Sequence, residues 1–293
     1  MDIVITYVDG NDPLWQEDFR KAVNVPAITK RYRDMGTFPY LFRGIEKYIP
    51  EVENVFLLVA RESQVPSWID REKVKVVTHA DIIPAEKLPV FNSCAIELFI
   101  HKIPGLGEEF LYFNDDCIPL APFSYEDFFS SGKIVIGFGK HILTFAEFKK
   151  QCLRSDRLAR KAAGIKAGFF FVRPQHTCTP MFRSESEKAF RKVEKELLGS
   201  VTPLRSGNSV NQYFFTDYCL FTGKAIDRRR PSKKFSLRLS EPDSIAAFIT
   251  NPGKMKMICI NDAKIPEEQY EYYRKAILDA LTRRFPDKSR YEL

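Results

Sequence analysis

Residues 110–120 read FLYFNDDCIPL. Phe110 to Phe113 form the short, continuous apolar run of a buried strand, and it stops abruptly on Asn114, Asp115 and Asp116. Adjacent carboxylates repel one another and are costly to desolvate unless a cation or hydrogen-bond donors compensate. A divalent metal is one compensation, and a solvated turn is the other. The same relation recurs twice: Asp9 and Asp12 follow DIVITYV, and Asn261 with Asp262 follows MKMICI. Each group alone reads as a turn or helix cap. Brought to one rim at the carboxyl ends of parallel strands, the three would supply the hard oxygen ligands that Mg²⁺ or Mn²⁺ takes.

Two further side chains suit chemistry on such a rim. His176 follows Arg173-Pro174 in an expected loop and can serve as a base near neutral pH, or be a structural loop histidine. Arg205 lies between Pro203 and Gly207, just before an expected helix, from where a guanidinium reaches phosphate oxygens. Arg31, Arg33 and Arg43 form a second basic set that composition alone would call solvated. Neither a Gly-x-Gly-x-x-Gly nor a Walker loop occurs, which argues against a dinucleotide fold or an ATP P-loop.

The elements that would hold these residues alternate. Strand patterns fall at 2–8, 55–60, 74–78, 110–114, 134–138, 168–173 and 255–260, with helical patterns near 39–49, 91–103, 144–163, 184–198, 208–222 and 266–285. Ser184-x-x-Glu187 reads as a capping box, and Pro266 with two following Glu as a helix start. The expected class is α/β, a mostly parallel twisted sheet with helices on both faces, and ligands gather beyond the carboxyl ends of such strands.

The whole chain has 293 residues, 44% hydrophobic and 28% charged, which is enough for a full core in one large domain. No stretch approaches the ~18 apolar residues of a membrane span, and the chain opens directly on DIVITYV without a basic region or cleavage pattern, so the expected compartment is cytoplasmic. Six scattered cysteines without a Cys-x-x-Cys pair read as buried, reduced thiols. A net charge of +7, densest at Arg228, Arg229, Arg230, Lys233 and Lys234, favours anionic partners. Zinc-finger spacing and RNP aromatics are absent, so nucleic acid is not expected; a phosphate-bearing substrate or an anionic membrane surface fits the cluster, as does a solvated loop.

In order along the chain, ITYVDGNDPLW, the stretch from RYRDMGTFPYLFRGIEKYIP through VVTHADIIP and LPVFNSCAIELFIHKIPGL to FLYFNDDCIPL, then RPQHTCTPMFRSESEKAF with LRSGNSVNQYFFTDYCLFTGKAI, and finally MICINDA and FPDKSRYE resemble the Stealth family of hexose-1-phosphate transferases. The resemblance covers nearly the whole chain and implies a single catalytic domain over 1–293, with region-like segments at 2–15, 31–120, 173–226 and 255–263. It further implies a Rossmann-like, nucleotide-sugar transferase type of fold. The implied reaction moves a sugar 1-phosphate from a nucleotide sugar, of the UDP-N-acetylglucosamine type, to an acceptor hydroxyl of an oligosaccharide or polysaccharide. It leaves a phosphodiester and releases a nucleoside monophosphate.

Carried over by motif, Asp9, Gly10, Asp12, Arg33, Arg43, Asn92, Glu97 and His101 are expected to bind the donor. Asp115, Asp116, Asn261 and Asp262 are expected to hold Mg²⁺ or Mn²⁺, and His176, Arg205 and Asp115 to act in catalysis. The family pattern is His-x-Pro with an acid shortly after the arginine, where this chain has Cys178, Asn208 and Ser209. A metal-dependent glycosyltransferase releasing a nucleoside diphosphate, and a nonenzymatic polyanion-binding protein, are the alternatives. Contact with an anionic inner membrane face or with other polysaccharide-assembly enzymes is compatible with the charge.

Overall fold

The computed structural model describes residues 1–23, 32, 34–142, 146–236, 240–261 and 265–293. Arg31, Arg33 and Asp262 lie outside the described residues, as does the side chain of Asn261.

Four parallel strands make the centre of the molecule. They are β1 (Asp2–Thr6), β2 (Val55–Val59), β3 (Val74–Thr78) and β4 (Glu109–Asn114). The sheet runs β10-β4-β1-β2-β3, its last member being the antiparallel edge strand β10 (Thr179–Phe182). Successive residues of a strand face opposite sides, and here both sides are apolar. Ile3, Ile5, Leu57, Leu111 and Phe113 enter one core cluster with α2 (Phe38–Tyr48), α9 (Pro242–Thr250) and α10 (Tyr270–Arg284). Val4, Phe56, Leu58, Phe110 and Tyr112 enter the other, with α5 (Glu147–Ala163), α6 (Arg183–Lys192), α7 (Glu194–Ser200) and α8 (Tyr213–Phe221). The expected α/β layering, with helices on both faces, is the observed one.

Around this sheet the expected pattern needs corrections. The MKMICI strand, β13 (Met257–Asn261), does not belong to the central sheet. It pairs in parallel with β12 (Ser232–Ser236) and antiparallel with β5 (Cys117–Pro119), a short strand that leaves β4 after a two-residue turn at Asp115 and Asp116. The basic segment expected as a loop supplies β12, and its Arg230 is buried, donating to the carbonyls of Asp127, Val135 and Cys178 and to the Thr177 hydroxyl. The helix expected at 91–103 is a short α4 (Ser93–Glu97) and a 3₁₀ turn at Ile100–Lys102. Its residues are buried nearly all round, so no amphipathic period holds one straight axis. The helix expected at 184–198 breaks at Val193, and Ser184 donates to Glu108 rather than forming a capping box with Glu187. The helix expected from 208 starts at Tyr213. All six cysteines are buried and unbridged.

The carboxy-terminal segment is pinned to α2 by Arg43. Its Nε and Nη2 donate to the Glu292 carboxylate at 2.9 and 2.6 Å, and Nη1 donates to the Phe285 carbonyl. Burial alone would raise the Glu292 carboxyl, but Arg43 and the Ser289 N–H and hydroxyl hold it below the usual range. A depressed carboxylate stabilises the fold above its ordinary pKa of about 4.3, and the contribution is lost as pH falls through the lowered value. Glu292 is 4% exposed in its side chain. Arg43→Met, which removes the cation and leaves the carboxylate held by Ser289 alone, is expected to cost about 1–3 kcal/mol at pH 7. Urea unfolding at pH 7 and pH 3 checks this: the variant should lose less stability on acidification than the parent.

Candidate active site

Where β1, β4 and β13 end, the chain leaves a cavity of about 580 Å³. Thr6, Asn114 and Ile260 mark the three strand ends in its wall. The three strand ends meet here from two sheets rather than on one rim, and of the three expected acidic groups only Asn114, Asp115 and Asp116 line the cavity, since Asp9 and Asp12 do not. Asp115 and Asp116 are the turn between the two sheets, and the Asp116 carbonyl accepts from Ile260 N at 2.9 Å.

One wall is aromatic: Tyr7, Trp15, Tyr32, Phe38 and Phe91 line it, and Tyr7 stacks on Phe38 with ring centroids 4.2 Å apart. Gly10 lets this wall close, since a Cβ there would lie 2.3 Å from the Tyr32 carbonyl that accepts its N–H. His79 lines the same cavity, and burial pushes its imidazole down to about 4, so it is neutral at pH 7. These residues escaped sequence reading because, without coordinates, aromatics in apolar runs look like ordinary core.

The lining also includes polar side chains. Arg205 lies there with its guanidinium on the Ser93 hydroxyl, and Lys234 from β12 stands on the same cavity. Glu97, nearly fully buried, accepts from Gln212 N at 3.0 Å and from the Tyr112 hydroxyl, while that hydroxyl also meets Thr6 and Asn114. Burial, the largest influence, raises the Glu97 carboxyl. The network ties β1, β4, α4 and the start of α8 together, so the cavity floor is pre-organised.

His176 also lines the cavity, its Nδ1 3.1 Å from the Tyr213 hydroxyl. Burial disfavours charge on the ring, yet the adjacent Cys259 and Asp116 raise its pKa. The two oxygens of Asp116 accept from the Cys117 thiol at 3.3 Å and the Cys259 thiol at 3.2 Å. Asp115 and Asp116 both line the cavity, and Asp116 also belongs with Cys117, His176 and Cys259 to a set whose donor atoms lie within 4.8 Å of one another and could hold a metal ion.

Of the expected donor-binding residues, Glu97 lines the cavity, and Asn92 supports it from behind. Asp9 closes a turn onto Asn11 N, and Asp12 caps α1 (Pro13–Val23) through Leu14 N while accepting from Ser63. Arg43 is spent on Glu292 and lies outside the cavity lining. His101 does not line the cavity either: it packs on Phe190 and Phe215, 3.0 Å from Glu187, beside a separate shallow depression. Arg43 is hydrogen-bonded internally and His101 is packed among aromatic rings, so neither reaches this cavity.

An α/β protein with a cleft at its strand ends, lined by aromatic, acidic and basic side chains, is the class defined by this fold and site. Region 2 of the Stealth proteins matches residues 31–136. The capsular polysaccharide phosphotransferase WcwK of Streptococcus pneumoniae is 31% identical over 100% of this chain and 99% of its own. The receptor polysaccharide phosphotransferase WefC of Streptococcus oralis is 32% identical with the same coverage. The chain belongs to the Stealth family. Among solved structures it is similar to the galactosyltransferase LgtC (TM-score 0.40, 11% identity, covering 94% of this chain and 96% of that one). It is also similar to mouse xyloside xylosyltransferase 1 (TM-score 0.44, 12% identity, covering 91% and 100%).

The Arg205 loop depends on Asn92. Its Oδ1 caps α4 at Cys94 N, and its Nδ2 reaches Thr202 O, Leu204 O and Ser209 Oγ at 3.3–3.4 Å. Asn92→Ala is expected to cost about 1–3 kcal/mol, combining a lost cap with buried acceptors left unmet. Hydrogen exchange should show faster exchange at Ser206 to Asn211, while amides of β1 and β2 stay protected.

Proposed function

We propose that this protein transfers a sugar 1-phosphate from a nucleotide sugar to an acceptor sugar hydroxyl in the synthesis of a capsular or cell-surface polysaccharide. The observation that carries the reading is one cavity lined both by aromatic side chains and by Arg205, Lys234, Asp115 and His176. Aromatic faces suit a nucleobase, and fixed cations suit its two phosphates. The names of the full-length relatives, phosphotransferases of capsular and receptor polysaccharides, support the same reaction.

The acceptor oxygen attacks the phosphorus nearest the sugar, the bond from that phosphorus to the bridging oxygen breaks, and the nucleoside monophosphate leaves with the electron pair. Negative charge grows on the nonbridging oxygens and on the leaving phosphate. Arg205 grips those oxygens, and its anchoring on Ser93 fixes the fork beforehand. His176 takes the acceptor proton on Nε2, with Nδ1 directed at Tyr213. Mg²⁺ is commonly held by one or two carboxylates together with substrate phosphates and waters, an arrangement open to Asp115, and it or Mn²⁺ would there offset phosphate charge.

Incubating the protein with a panel of nucleotide sugars, Mg²⁺ and candidate oligosaccharides is expected to release a nucleoside monophosphate and leave phosphorus in the product. Nucleoside diphosphate as the direct product would instead establish glycosyl transfer. His176→Ala should lower kcat about 10²–10⁴-fold, the range of a positioned base. Arg205→Lys, keeping charge but losing the planar fork, should fall mainly in kcat rather than KM.

A further inference from the structure

Asp116, Cys117, His176 and Cys259 come from three separate segments: the turn after β4 with the start of β5, the loop after β9 (Phe171–Pro174), and β13. Cys117 and Cys259 are directly opposed across the antiparallel β5–β13 pair. Both thiols are buried and aimed at the one carboxylate, whereas Asp116 and His176 are partly open to the cavity. With His176 Nδ1 directed at Tyr213, Nε2 is the nitrogen left to this group.

Two sulfurs, one imidazole and one carboxylate are not a magnesium set. They are the mixed soft and borderline ligands that select Zn²⁺ and its relatives. Donor atoms of a tetrahedral zinc site, with bonds of ~2.0–2.3 Å, lie about 3.3–3.8 Å apart. The present separations, all within 4.8 Å, need only a small contraction. The Tyr213 hydroxyl supplies the outer hydrogen bond that orients a ligating imidazole.

We propose that this cluster is a regulatory site for a thiophilic divalent cation of the Zn²⁺ class, and that occupation silences transfer by taking His176 Nε2 out of proton transfer. The inference rests on the reading of His176 as the proton acceptor. Binding releases the Cys117 and Cys259 thiol protons to solvent, forms two metal–sulfur bonds, one metal–nitrogen bond and one metal–oxygen bond, and moves no electrons between metal and protein. Asp115, turned to the cavity wall, is not part of the set, so Mg²⁺ there and Zn²⁺ at the cluster are separate occupancies.

Titrating the metal-free, reduced protein with Co²⁺ is expected to give thiolate-to-cobalt charge-transfer absorption and tetrahedral d–d bands saturating at one equivalent. Zn²⁺ should displace both even with excess Mg²⁺ present. One equivalent of Zn²⁺ should reduce turnover at least about tenfold, chelation should restore it, and Cys117→Ala should keep basal turnover while needing at least about tenfold more Zn²⁺ for the same inhibition. Absence of thiolate bands, bands unchanged in Cys259→Ser, or a zinc-loaded protein turning over at the metal-free rate would overturn the proposal. If no donor turns over, the transfer reading fails, and the cobalt spectrum alone decides the metal site.

Discussion

The cleft depends on how the chain leaves the central sheet at Asp115 and Asp116. β4 is buried on both faces and must end where its neighbours end, yet the chain turns directly into β5 of a second sheet. The turn succeeds because its second acid is internally satisfied. The Asp116 carbonyl takes Ile260 N, and its carboxylate takes two thiol protons. The bonds from Ile260 N and the Cys259 thiol hold β13 against the end of β4, and His176 and Lys234 line the same cavity as Arg205. With β13 displaced, the cavity would lose its floor.

Rigidity around the cleft comes from a network of buried and half-buried polar side chains. Glu97, Tyr112, Thr6 and Asn114 cross-link four elements behind the cavity, and Asn92 ties the Arg205 loop to α4. Such a network is stabilising only when fully paired, which explains why a glutamate is tolerated inside an otherwise apolar layer. Arg230 does the same for the second sheet, spending four hydrogen bonds on backbone carbonyls and Thr177. Part of the basic cluster is thus internal scaffold, and that leaves less of its charge for polyanions at the surface.

The two kinds of cation differ in what they ask of the protein. A hard ion can be shared between one carboxylate and the phosphates of a bound donor. A thiophilic ion needs several side chains already close, and the described residues supply that only at the sheet junction. Because the junction also carries His176, the architecture couples the catalytic wall to whatever occupies the thiols.

The local pattern was enough to establish the α/β layering and the strands β1, β2, β3 and β4, because fully buried parallel strands are continuous apolar runs bounded by polar turns. It also singled out Asp115, His176 and Arg205, whose polar side chains stand out at element ends and which the fold brings to one cavity. Tertiary structure alone decided which acids work together. Asp116 joins the thiols of Cys117 and Cys259, which meet only through the β5–β13 pairing. It also placed Arg43 and His101 away from the cavity, beside Glu292 and Glu187, which lie far along the chain. A side chain's partners are set by long-range strand pairing and by which groups burial forces together, and neither is encoded in local periodicity.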